Sequence, residues 1–363
     1  MPSEADRHYM ARALELAERG LYTTTPNPRV GCVIVRDGAV VGEGWHQRAG
    51  EAHAEVIALR AAGEKAQDAT VYVTLEPCSY HGRTPPCTQA LLAGKVNRVV
   101  AAMQDPNPRV AGQGLQAIRA AGIAAECGLM EAEALELNVG FVSRMTRGRP
   151  WLRMKIAASL DGKTALTNGR SQWITGADAR RDGHRWRARA CVIMTGIGTV
   201  REDDPQLTVR DVDTSRQPIR LVVDSRLEIA TNARVLGTGS VVAAAVAEQA
   251  RSDALRAKGT EVIVLPTASG KVDLHALMQE LGRREMNEVH VEAGYKLNGS
   301  LLREGLVDEL LIYLAPHILG DTARGMFHMP ELTDLSERLE LDIRDVASVG
   351  SDIRVIARPK ADR

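Results

Sequence analysis

Two thiols, an imidazole and a carboxylate stand at Cys78, Cys87, His53 and Glu55, a set suited to metal-assisted hydrolysis of an amine. One His and two Cys can hold zinc with the fourth tetrahedral position left to water, whose pKa then falls toward neutrality. Glu55 would serve as proton shuttle, accepting a proton as water attacks an amine-bearing ring carbon and passing it to the departing ammonia. His81 lies between the cysteines as a rival to Cys87. A closed, purely structural zinc site would recruit His81 as fourth ligand and leave Glu55 without a task.

Residues two apart on a helix project to different sides, so His53 and Glu55 converge on one metal most easily from a helix's first turn. The stretch from Ala54 to Ala62, stopped by Gly63, predicts that helix. Cys78 follows the apolar run Val71 to Leu75, and Cys87 opens a second helical stretch over 87–93. Helix N-termini favour the thiolate that a metal requires. Zinc deaminases of nucleobases use this donor set and typically read Pro-Cys-x-x-Cys. Here Ser79 to Pro86 separate the two cysteines, which need only meet in space.

The chain has 363 residues, which suggests two domains of ordinary size. Lys plus Arg and Asp plus Glu both count 46, which argues against a nucleic-acid footprint. No long apolar span and no signal peptide are evident, so a cytoplasmic enzyme away from membranes is expected. Cys32 and Cys191 lie in apolar strand-like runs and Cys127 at the end of one, so all three read as small buried thiols rather than disulfides.

Met10, Ala13, Leu14, Ala17 and Leu21 recur at helical spacing, and a hairpin turns at Asp37-Gly38. Beyond the helix at 54–62, the pattern predicts strand 70–75, helix 87–93, strand 96–102, helix 112–121 and strand 123–127, an α/β layer. The pattern breaks near Arg147 to Pro150, which places domains at 1–148 and 149–363. A fresh strand starts at Trp151, and strands are expected at 190–195, 219–224, 240–246, 261–265, 288–292 and 309–314.

Two glycine-containing turns follow strands in the second half: Thr195 to Thr199, and Glu292 to Ser300. Such turns let backbone amides approach a phosphate, but neither is a complete dinucleotide fingerprint, and each can equally be a plain connection. Arg185, Arg187, Arg189 and Arg210 could bind phosphate through their forks or form a solvated face.

With these motifs in view, the chain resembles the bifunctional deaminase-reductases of riboflavin biosynthesis along nearly its whole length. In the first half the resemblance rests on Thr25 to Gly31, His53-Ala54-Glu55, Glu76-Pro77-Cys78, His81 to Cys87, and Asp105 to Pro108. In the second it rests on Lys155 to Lys163, Ser171 to Thr175, Gly196 to Val200 with Asp203-Asp204-Pro205, and Val291 to Gly294. The long interval between the cysteines belongs to that family's pattern.

The resemblance implies a cytidine deaminase-like three-layer α/β/α domain followed by a dihydrofolate reductase-like α/β domain. The first would remove the 2-amino group of a diaminopyrimidinone ribosylamine phosphate, with zinc on His53, Cys78 and Cys87 and Glu55 as shuttle. Asn27 would contact the pyrimidine or hold its own turn between Pro26 and Pro28. The second would use NADPH to reduce the ribosyl group to ribityl. Its NADP contacts map onto Ala157, Trp173, Thr199, Asp203, Ser225, Gly294, Tyr295, Lys296, Leu297, Asn298, Gly299 and Ser300. Substrate contacts map onto Ser171, Arg187, Leu207, Arg210 and Glu292. Lys155 either polarises the opened sugar or serves as an ion-pair partner in its strand. A homo-oligomer is expected. Two other readings are a tRNA adenosine deaminase relative with an RNA-binding appendage, and a zinc-stapled nucleotide-binding scaffold. Zero net charge and only two Phe weigh against the first.

Overall fold

The computed structural model describes residues 3–80, 85–108 and 110–360. The chain divides into two compact units, Met1–Gly148 and Arg149–Arg363.

The first unit runs α1 (Glu4–Glu18), β1 (Gly31–Arg36), β2 (Ala39–Trp45), α2 (Ala54–Ala62), β3 (Thr70–Val73), α3 (Cys87–Ala93), β4 (Arg98–Ala101), α4 (Gln113–Ala120), β5 (Ala124–Cys127), α5 (Glu131–Leu137) and α6 (Val139–Arg147). Its sheet has the order β2-β1-β3-β4-β5. The β1–β2 hairpin is antiparallel, whereas β3, β4 and β5 are parallel. Register pairs Gly31 with Trp45 and Cys32 with Gly44, so Gly31 and Gly44 face opposite sides of the sheet. A Cβ on Gly31 would lie 1.9 Å from the Ala13 carbonyl oxygen of α1, and one on Gly44 would lie 2.4 Å from the Ala54 carbonyl oxygen of α2. α1 and α2 therefore cover opposite faces, giving three layers. The glycine at 44 also lets the first turn of α2 approach β2 closely, which sets the height of His53 and Glu55.

The second unit comprises β6 (Trp151–Ser159), β7 (Lys163–Ala165), α7 (Ala177–Arg189), β8 (Val192–Gly196), α8 (Ile197–Asp203), β9 (Ile219–Val223), β10 (Ser240–Ala244), α9 (Gln249–Arg256), β11 (Thr260–Val264) and α10 (Leu274–Arg283). It continues with β12 (Glu288–Val291), α11 (Tyr295–Arg303), β13 (Glu309–Ala315), β14 (Arg324–Gly325), β15 (Leu341–Val349) and β16 (Asp352–Pro359). Nine strands form one sheet, ordered β11-β10-β9-β8-β12-β6-β13-β16-β15. It is parallel from β11 to β13, and β16 and β15 add an antiparallel edge.

Strand alternation separates two environments in this sheet. Leu152, Met154, Ile156 and Ala158 of β6 join Val289 and Val291 of β12 and Leu277 and Leu281 of α10 in one apolar core. The intervening residues Arg153, Lys155 and Ala157, with His290 of β12, therefore lie on the opposite face, where α7 packs. Arg153 is 2% exposed and is held by Glu309 and Glu288. This face is polar yet enclosed, and it leads to the C-terminal strand ends where open α/β sheets bind ligands.

The C-terminal hairpin of β15 and β16 was not among the expected strands. Most of β15 is exposed, and its bulge between Ile343 and Asp345 breaks the alternation that marks a half-buried strand. Helices α5 and α6 were likewise unread.

Candidate functional site

His53 is the N-cap of α2, and Glu55 lies in that helix's first turn, 3% exposed. Cys87 is the first residue of α3 and is buried. The turn carrying Cys78 is tied to α3, because the backbone N–H of Cys87 donates to Cys78 Sγ at 3.3 Å and that of Thr88 donates to the Cys78 carbonyl at 3.2 Å. His53 Nδ1 stands 3.1 Å from Cys87 Sγ and 3.6 Å from Cys78 Sγ. Donor atoms of all three residues lie within 4.8 Å of one another. Zinc bonds of about 2.0–2.1 Å to nitrogen and 2.3 Å to sulfur fit that spacing, so the donor set suits tetrahedral zinc with one position left over. His81 lies outside the described residues.

Electrostatics divide the two thiols: the Cys78 side chain and burial push the Cys87 thiol up, so without a metal the pair shares one charge, carried by Cys78. The Cys87 side chain, the His53 imidazole and the Cys87 backbone N–H hold Cys78 down at about 4, which makes it a thiolate. Burial raises the Glu55 carboxyl, moving it toward the range in which a proton can be both taken and returned.

Asn27 donates from Nδ2 to His46 Nε2 at 3.0 Å, and His46 Nδ1 lies 3.1 Å from the Ala52 carbonyl oxygen. The carbonyl must receive the Nδ1 proton, leaving Nε2 as acceptor and turning the Asn27 amide accordingly. His46 is 3% exposed, and its ring meets that of His53 edge-on at 5.4 Å. Its place at the end of β2 was the only sequence signal for it. Glu76 was also overlooked as a positioning group: its carboxylate accepts N–H bonds from Asp105, Gly112, Gly114 and Leu115. That fastens Asp105, Gly112 and the start of α4 beside Pro77 and Cys78. Burial pushes the neighbouring Asp105 carboxyl up to about 6.

The second unit holds a cavity of about 1240 Å³. This exceeds the roughly 300–1,000 Å³ of a single small-molecule pocket and gives room for two ligands side by side. Its wall includes Lys155, Ala157, Ser171, Trp173, Arg187, Thr199, Asp203, Leu207, Arg210, Glu292 and Gly294 to Leu297. The two glycine turns open α8 and α11, and they are neighbours: a Cβ on Gly294 would lie 3.7 Å from Thr199 Oγ1. Asp203 Oδ1 accepts from Ser171 and Gln172, both at 3.3 Å. Four expected cofactor contacts are not part of that wall. Ser225 Oγ accepts from Val272 N–H, Asn298 and Gly299 are buried on the inner side of α11, and Ser300 follows them a turn beyond the helix start.

Arg187 pairs with both oxygens of Glu292, at 2.5 and 2.8 Å, and donates to the Thr208 carbonyl. The arginines of α7 therefore do not share a face: Arg185 is mostly exposed, Arg187 faces the cavity, and Arg189 pairs with the buried Glu288. Lys155 reaches the cavity with Nζ 6.0 Å from the Tyr313 ring centre, and burial lowers its pKa against the opposing pull of Glu292. The 203–211 segment bends through left-handed backbone at Asp204, Leu207 and Asp211, all non-glycine. Strained backbone of this kind concentrates at binding sites.

Residues 3–103 match the cytidine and deoxycytidylate deaminase zinc-binding region, and residues 150–355 match the RibD C-terminal domain. The riboflavin biosynthesis protein RibD of Escherichia coli is 50% identical over 361 residues, covering 96% of this chain and 98% of that protein. The protein of the same name from Aquifex aeolicus is 40% identical, over 97% of this chain and 98% of its own length. Among solved structures, Acinetobacter baumannii RibD is similar with a TM-score of 0.91 and 43% identity, covering 99% of both chains. A Thermotoga maritima diaminohydroxyphosphoribosylaminopyrimidine deaminase/5-amino-6-(5-phosphoribosylamino)uracil reductase has a TM-score of 0.87 at 32% identity, covering 98% of this chain and 99% of its own.

Proposed function

The chain belongs to the RibD family of bifunctional riboflavin-biosynthesis deaminase-reductases, and from that premise we propose which substrate each unit takes and which residues act on it. The first unit hydrolyses the 2-amino group of the phosphorylated diaminopyrimidinone ribosylamine. The second reduces the ribosyl group of the product to ribityl with NADPH. The convergence of His53, Cys78 and Cys87 around buried Glu55 is the observation that carries the first half of this reading.

His53, Cys78 and Cys87 would hold the zinc, which when bound supplies the Lewis acidity that makes water nucleophilic near neutral pH. Glu55 takes a proton from the water and passes it to the ring nitrogen, then moves a second proton from the new hydroxyl to the leaving amine. Asn27, its amide oriented by His46, presents its remaining polar edge to the pyrimidine. In the second unit the cofactor supplies a hydride, and the protein's task is to align the two ligands. Lys155 donates to the sugar oxygen as the ring opens. Glu292, fixed by Arg187, accepts from sugar hydroxyls. Arg210 takes the phosphate, and the turns at Gly196 and Gly294 face the cofactor's phosphates.

Removing zinc with a chelator tests this division of labour. Ammonia release should fall to background and return on adding zinc, while oxidation of NADPH on the deaminated substrate stays unchanged. Ammonia release that survives complete metal removal would contradict the assignment.

We place the protein in the cytoplasm as a homo-oligomer acting on a small molecule. No helix among the described residues is long and apolar enough to cross a membrane, and none of the five cysteines forms a disulfide, although Cys127 is exposed where a buried thiol was expected. The edge strand β15 supports self-association: Ile343 is 67% exposed and Val346 59%. Such an edge is commonly covered by another copy. Ile343→Lys with Val346→Lys should convert the wild-type oligomer to monomer in sedimentation. A wild-type monomer would refute the proposal.

A further inference from the structure

We propose that His184 is a second ligand of the substrate phosphate in the reductase cavity, donating from Nε2–H beside Arg210. This inference rests on the reading of the cavity as the site of a phosphorylated sugar. It names a residue that neither the sequence pattern nor the family match assigns.

Helical spacing places His184 among cavity residues. Arg180, Gly183, His184 and Arg187 stand at i, i+3, i+4 and i+7 on α7, and all four line the cavity. The backbone N–H of Arg210 donates to His184 Nδ1 at 3.0 Å. A nitrogen that accepts cannot carry the proton, so the neutral ring holds its hydrogen on Nε2. No hydrogen bond to Nε2 is made among the described residues. The ring is 8% exposed, and burial first, then the charges of Arg187 and Arg210, bring its pKa down to about 4. Glu292 from β12 and Asp211 from the 203–211 segment pull the other way without reversing this. Near neutral pH the ring is therefore an uncharged donor in one tautomer.

The surrounding cations make such a donor useful. Arg187 is already engaged with both oxygens of Glu292 and the Thr208 carbonyl, so its charge is largely matched. Arg210 spends one terminal nitrogen on Gln206 Oε1 and Thr208 Oγ1, and its remaining donors are open to a ligand. A phosphate seated against Arg210 meets the histidine that the same residue's backbone holds in place. The left-handed turns at Leu207 and Asp211 bring that backbone N–H to the ring. One residue thus binds the anion and orients its neighbour.

Two amide substitutions separate ligand binding from structural support. In His184→Gln the amide nitrogen reaches the Nε2 position and keeps the outward donor. In His184→Asn the carbonyl oxygen takes the Nδ1 position and keeps the bond to Arg210. The measurements are the KM of the deaminated substrate and the inhibition constant of inorganic phosphate, both from NADPH oxidation near neutral pH. His184→Asn should raise both constants about tenfold or more with kcat within about twofold, as expected for loss of a hydrogen bond to a charged group. His184→Gln should stay within about threefold of wild type. The reverse order, equal losses in both variants, or no loss in either would overturn the proposal. A wild-type protein that does not oxidise NADPH on this substrate would instead remove the underlying reading.

Discussion

Glu55→Gln is expected to lower ammonia release from the diaminopyrimidinone substrate by about 10²- to 10⁴-fold, the usual range for removing a positioned acid-base group. The amide matches the carboxylate in size, so the buried pocket at the start of α2 should be kept. It cannot take up and return a proton at the working pH. Zinc content, measured by atomic absorption, should be unchanged because His53, Cys78 and Cys87 supply the donor set without it. NADPH oxidation on the deaminated substrate should also survive, since its cavity is built from residues of the second unit. Loss of zinc in this variant would assign Glu55 to the metal instead of to proton transfer. Loss of both activities with the fold intact would contradict separate sites.

Lys155→Met should lower the rate of reduction by roughly 10²- to 10³-fold while leaving ammonia release at the wild-type level. Lys155 reaches the cavity between Glu292 and Tyr313, and the nearby Glu292 carboxylate is bound on both oxygens by Arg187. A strand lysine serving as an ion-pair partner would sit on a carboxylate of its own. Burial lowers the pKa of this amine in the folded protein, so the folded state disfavours its charge and stability attributable to it rises with pH. Removing the amine should therefore leave thermal stability near neutral pH equal to wild type or slightly higher. Reduced turnover with an undiminished melting temperature identifies a catalytic role. A melting temperature that falls with activity would identify a structural one.

Apolar periodicity made the elements around the zinc ligands readable. Helices at 54–62 and 87–93 have the predicted bounds because each alternates core residues with exposed ones and is flanked by clear turn signals. The reductase cavity was less legible for a physical reason. Lys155, Arg153 and His290 occupy a sheet face that is enclosed but lined with charge, so their polarity reads as solvent exposure. The arginines of α7 show the same effect. Composition suggests one solvated face, yet helical phase directs Arg187 inward with His184 and Arg180, leaves Arg185 outside and sets Arg189 on Glu288. His46 escaped notice because a lone histidine at a strand end has no spacing partner. Its role depends on the Asn27 turn meeting it in space. Ser225 and the residues from Asn298 to Ser300 are not part of the cavity wall: Ser225 accepts from Val272 N–H, and the other three lie past the opening residues of α11.

The most direct measurement follows ammonia and absorbance at about 340 nm, the band of the reduced nicotinamide, in one reaction of zinc-loaded protein with the diaminopyrimidinone substrate. Before NADPH is added, ammonia should appear in proportion to substrate with no absorbance change. After addition, NADPH should be consumed in an amount equal to the ammonia already released. Consumption of NADPH by the substrate without prior ammonia release, or ammonia release with no later oxidation, would contradict two successive reactions on one chain.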